Sequence, residues 1–227
     1  VFAIDALGPV FAEKKDGGTP WHAHHIAERY GLLAIIALGV GVVGTVASLS
    51  AVLGAQGWTM DAVLVAVAGT DLTFGMWWVY FVVPAADLLH VRREASFVFG
   101  YVHMAVIGAI VATGAGLHTA AYYVEGHSEL GEVGTVFAVA IPVGVFIGLV
   151  YVVYALLVRT TEAFHLLLMA LTAVVLVAAV VLAMLGVSMP ICLLVVMFAP
   201  VVTVVGFEVR GHREAAVALA ARLAKPS

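Results

Sequence analysis

Asp71 and His103 are the residues of this chain best placed to do chemistry away from water. Each stands inside an otherwise apolar run, Asp71 in AGTDLTFGMWW and His103 in YVHMAVIGAI. A carboxyl group within reach of an imidazole can relay a proton or contact a cation. A charge at hydrocarbon depth is expensive, so a lone carboxyl group there should stay neutral or find a partner across a helix bundle. By helical rise, Asp71 lies about 18 Å and His103 about 10 Å from the same membrane face. A direct or water-bridged contact between them is therefore one expectation. The other is packing: Asp71 bonded to Thr70, Thr73 or a neighbouring helix, and His103 acting as interhelical glue. His118 and His165 lie nearer span ends, where an interfacial position accounts for them.

A second polar cluster precedes the first apolar run, in AHHIAERYGLL. His24 and Glu28 are four residues apart, as are His25 and Arg29, so each pair shares a helix face. One reading is an amphipathic lead-in at the membrane surface, with Arg29 reaching toward headgroups. The other is a divalent-metal site built from His22, His24, His25 and Glu28. The lead-in reading is preferred, and no metal or cofactor is expected. The loop YVEGHSELGE, with Glu125, His127, Glu129 and Glu132, is read as a solvated external loop.

The elements that position these residues follow from composition. Of 227 residues, 64% are hydrophobic and 11% charged, with a mean hydropathy of +1.14. Ordinary soluble domains carry about 25% charged residues. The apolar runs are long enough to cross a hydrocarbon layer of about 30 Å as helices. They lack the alternation of barrel strands. The chain is therefore expected to be all-α, a polytopic membrane bundle of about six transmembrane helices. The spans fall near residues 31–54, 61–83, 96–124, 133–158, 163–186 and 188–208. Residues 1–30 form a lead-in, 31–208 the transmembrane domain and 209–227 a tail.

Orientation comes from the basic residues, which accumulate in cytoplasmic segments. Lys14, Lys15 and Arg29 precede the first span, and Arg92 and Arg93 separate the second and third. Arg159 separates the fourth and fifth, while Arg210, Arg213, Arg222 and Lys225 follow the sixth. All ten fall on one face, so both ends are predicted to be cytoplasmic in a multi-pass protein of the cell inner membrane. The opening VFAIDALGPVFAEKK is apolar and then basic, the reverse of a signal peptide and the order expected at the end of an earlier span.

Other features concern packing. Gly144 and Gly148 form a GxxxG pair, and Gly39, Gly41 and Gly44 line the first span. These faces suit a homo-oligomer or a membrane-complex partner as well as internal packing. Pro142 and Pro200 lie inside spans and are candidates for kinks. Trp77, Trp78 and Tyr80 read as an interfacial aromatic belt or as the mouth of a pocket. Cys192 is the lone cysteine, which excludes an internal disulfide.

Three stretches together carry a resemblance: HHIAERYGLLAIIALG, FGMWWVYF and YVHMAVIGAIVATGAGLH. They are similar to the motifs of the bacterial low temperature requirement A family of membrane proteins, in the order of its C-terminal half. On this resemblance the motif residues are His25, Glu28, Arg29, Gly31, Gly39, Trp77, Trp78, Tyr80, Phe81, Tyr101 and His103. Val40 and Val82 stand where the family usually has acids, which weakens a proton- or cation-coupled reading. No reaction comes with the resemblance. The sequence holds no phosphate loop, dinucleotide glycine pattern, nucleophile elbow or zinc HExxH motif. The expectation is a non-enzymatic protein in a lipid bilayer that does not bind nucleic acid. It would be transporter- or channel-like for a small solute, or else a subunit or stabilising protein of a larger complex.

Overall fold

Long apolar segments with few charges have one economical way to satisfy their backbone in hydrocarbon, which is to bond it internally as helix. The computed structural model, which describes residues 22–158 and 163–211 together with positions 8 and 11, follows this rule. Its helices are α1 (Ala23–Gln56), α2 (Met60–Phe81), α3 (Ala85–Val91), α4 (Ser96–Val124), α5 (Glu132–Val158), α6 (Ala163–Met184) and α7 (Met189–Gly206). Six helical segments are long and apolar enough to cross a membrane, and no strand occurs among the described residues. The fold class and span count match the sequence expectation. Lys14, Lys15, Arg159, Arg213, Arg222 and Lys225 lie outside the described residues.

Two boundaries differ in detail. The lead-in passes straight into the first span: α1 runs unbroken from Ala23, so residues 23–30 are its first turns. The link between the second and third spans holds the short helix α3, set off by Pro84 and anchored by the buried Leu88 and Leu89. Proline removes an amide donor, which ends α2 cleanly before the chain turns.

The six spans close into a ring in the order α1, α4, α5, α6, α7, α2, with α5 also touching α7. Val136, Val139, Val143, Phe146 and Ile147 of α5 are buried at its centre. Arg29, Arg92, Arg93 and Arg210 all fall at one end of the bundle, termed here the arginine end. Arg92 is itself buried. It donates to the carbonyl oxygens of Leu156 and, at 3.3 Å, Leu157, which are left open at the C-terminus of α5. At the opposite end, three tight turns each place a glycine in the left-handed region: Gly57, Gly126 and Gly186. Glu125 and His127 of the acidic loop approach to 3.5 Å in an exposed position there.

Away from the arginine end, the helices meet through small residues. A Cβ at Gly44 would lie 2.5 Å from the carbonyl oxygen of Gly114, and one at Gly116 would collide with the backbone of Ala138. Ser48 adds a hydrogen bond to the carbonyl of Leu117. Of the glycines singled out in the sequence, Gly41 meets Thr73 and Gly144 meets Leu176. Gly39 and Gly148 have nothing among the described residues within 4 Å of where a Cβ would stand. Both prolines are accommodated within helices, Pro200 seated against Gly75. Cys192 is buried in α7.

Candidate functional site

The packing that closes one half of the bundle leaves a cavity of about 400 Å3 at the arginine end. That is within the range of small-molecule sites, roughly 300–1,000 Å3. Its wall includes His24 and Glu28 from the first turns of α1, Tyr80 and Phe81 from the end of α2, and Asp87 from α3. His103 and Val106 of α4, Val150 and Val153 of α5, and Val83 in the link after α2 also line it.

His103 is 2% exposed and sits among aromatic rings. The ring centroids of Phe99, Tyr30 and Tyr80 lie 4.0, 4.8 and 5.8 Å from its own. Its Nδ1 is 2.7 Å from the carbonyl oxygen of Phe99 and its Nε2 is 3.1 Å from the hydroxyl of Tyr80. A carbonyl only accepts, so Nδ1 carries the hydrogen and the Tyr80 hydroxyl donates to Nε2 of the neutral ring. Both nitrogens are thereby satisfied, and the imidazole is held in one tautomer and one orientation. Gly100 permits this approach, since a Cβ there would come 2.7 Å from the hydroxyl oxygen of Tyr30. Gly31 likewise faces the ring of Phe81, 3.2 Å from a built Cβ.

The mouth is acidic. His24 and Asp87 approach to 3.8 Å between α1 and α3, and Glu28 lies 3.8 Å from His25 on the same helix. Among the described residues no lysine or arginine lines the cavity. His22, His24, His25 and His90 gather in a run of ring contacts 5.4–6.2 Å between centroids. No group of three or more His, Cys, Asp or Glu residues suited to holding a metal ion occurs among the described residues.

The structure does not bring Asp71 and His103 together. Asp71 is exposed on the outer side of α2, and the nitrogens of His103 are taken by Phe99 and Tyr80. Instead, motif residues from three spans meet: Tyr80, Phe81 and His103 line one cavity with Glu28 at its mouth. Tyr30, which follows Arg29 in the first motif, packs its ring against that of His103, with its hydroxyl beside Gly100. Trp77, Trp78 and Tyr101 are exposed, and the indole of Trp78 donates to Glu208 at 3.4 Å. Arg29 and His25 are exposed as well. Val40 packs against Gly114, and Val82 borders a smaller cavity beside His165. His165, assigned to the interface from sequence, is in fact buried at 4% exposure. Its ring packs 4.8 Å from that of Tyr154, on the inner side of α6.

Neither the curated proteins nor the solved structures give a match to this chain. A family model does, the one described as bacterial low temperature requirement A protein, over residues 1–200. The match takes in every span but the end of the last, and with it all the helices that wall the cavity. The chain belongs to the bacterial low temperature requirement A family of membrane proteins.

Proposed function

We infer that the protein is a non-catalytic carrier of the cell inner membrane that takes up a small, positively charged organic solute in the cavity at the arginine end. The observation that carries this reading is the cavity's lining. Glu28 and Asp87 supply carboxylates at the mouth, Tyr80 and Phe81 offer aromatic rings, and Val106, Val150 and Val153 form an apolar floor. Carboxylates draw a cation inward, aromatic faces add roughly 0.5–2 kcal/mol for a desolvated cation, and the valines favour a hydrocarbon body. Close packing through Gly44, Gly114 and Gly116 in the opposite half fits a carrier whose cavity opens toward the arginine end.

Arginine placement supports a cytoplasmic arginine end. Single cysteines near positions 57 and 128 should then label from outside the cell, and those near 90 should not. Outside labelling at 90 would overturn that orientation. Transport itself is tested in reconstituted vesicles by current or uptake driven by a gradient of benzylammonium. Flux that Glu28→Gln and Asp87→Asn reduce supports the reading, while wild-type vesicles no leakier than empty ones would reject it.

A second reading, a subunit or stabilising protein of a membrane complex, is favoured by Asp71. Its carboxyl group faces outward near the middle of α2, where a neighbouring helix would shield it from lipid. Retention of a partner only when Asp71 is intact would support it.

A further inference from the structure

Beside the solute cavity lies a smaller one of about 20 Å3, bordered by α2, α5, α6 and α7. Its polar lining is Tyr151, Tyr154, His165 and Thr203. His165 is buried at 4% exposure, and neither ring nitrogen has a hydrogen-bond partner among the described residues. The hydroxyl of Tyr151 is also buried and without one among the described residues.

A neutral imidazole has one donor and one acceptor in either tautomer. Leaving a buried polar group unmet costs roughly 1–3 kcal/mol, and native interiors meet such groups with protein or ordered water. The described residues supply no partner to His165. The cavity exceeds the roughly 10–15 Å3 that one water needs, and a held water makes about two to four hydrogen bonds. It is far too small for an organic solute.

We propose that this cavity is a water-binding site, in which one internal water bridges a ring nitrogen of His165 to the hydroxyl of Tyr151, with Thr203 as a third partner. The water ties α5, α6 and α7 together at the arginine end. Thr203 lies 3.4 Å from Thr172, hydroxyl to hydroxyl, which carries the polar contact on into α6. Val83 and Val150 line both cavities, so they form the partition between them. The internal water exchanges with the solute cavity past these two side chains. This assignment is independent of what the larger cavity binds.

Radiolytic footprinting of the full chain in nanodiscs tests it, because hydroxyl radicals form at bound water even inside a protein. Tyr151 and His165 should oxidise severalfold faster than Phe146, which is equally removed from solvent at 0% exposure. Thr203→Val should lower the oxidation of Tyr151. After rapid mixing into isotope-labelled water, Val150→Ala, or Val83→Ala in parallel, should speed incorporation of label at Tyr151. Oxidation of Tyr151 and His165 no faster than that of Phe146 would show a dry cavity and overturn the proposal. Incorporation unaltered in both valine variants would overturn the entry route.

Discussion

His103 and His165 are both buried among aromatic side chains near the same end of the bundle, yet their bonding is opposite. His103 has a protein partner on each nitrogen, the Phe99 carbonyl and the Tyr80 hydroxyl. His165 has none among the described residues, and lines a cavity large enough for one water. The first histidine is a fixed wall of a larger cavity, held by groups that the fold itself provides. The second is finished only by something from outside the chain. Burial of an imidazole in a membrane bundle therefore does not define its role, and the placement of its two nitrogens does.

The largest expected effect comes from removing the fully bonded ring. His103→Leu leaves the Tyr80 hydroxyl without its acceptor and opens the aromatic cage, at a cost of about 2–3 kcal/mol. Thermal melts of the purified protein check this. Tyr80→Phe should cost less, about 1 kcal/mol, because Nε2 loses its donor beside a cavity from which water can replace it. His165→Leu should be the mildest, within about 1 kcal/mol of wild type, since it breaks no hydrogen bond to protein and exchanges an incompletely met polar group for an apolar one. A melt in which His165→Leu is the most damaging of the three would break the contrast between the two histidines.

The sequence made depth legible, and azimuth only poorly. Six apolar runs bounded by basic residues gave the spans, because run length and charge placement follow directly from bilayer thickness. His103 stood out as a deep polar group for the same reason. Its partner was missed because Tyr80 follows Trp77 and Trp78 near a helix end, where a lipid-facing belt and an inward hydroxyl give one signal. Successive helical residues turn by about 100°, so neighbours in sequence face different ways. Trp77 and Trp78 face out while Tyr80 faces His103. Asp71 shows the reverse error, since its depth suggested an inward partner and the helix turns it outward. Among the glycines, spacing drew attention to Gly148, which meets nothing among the described residues, and passed over Gly116 and Gly206, where a Cβ would come closest to a neighbouring helix. Which face of a helix meets a neighbour depends on the other helices, and no single run encodes that.

The proposed carrier requires the cavity walled by Tyr80 and His103 to accept a small organic cation. Calorimetry on the full chain in nanodiscs, with benzylammonium and benzoate as matched probes, tests it most directly. Benzylammonium should bind and benzoate should not, and added salt should weaken the binding by screening the exposed carboxylates. Glu28→Gln and Asp87→Asn should each reduce the affinity by about tenfold, the equivalent of roughly 1.4 kcal/mol for one close charge pair near a protein surface. Benzoate binding as tightly as benzylammonium, benzylammonium affinity untouched by both substitutions, or no binding of either probe would rule out a cation site in this cavity.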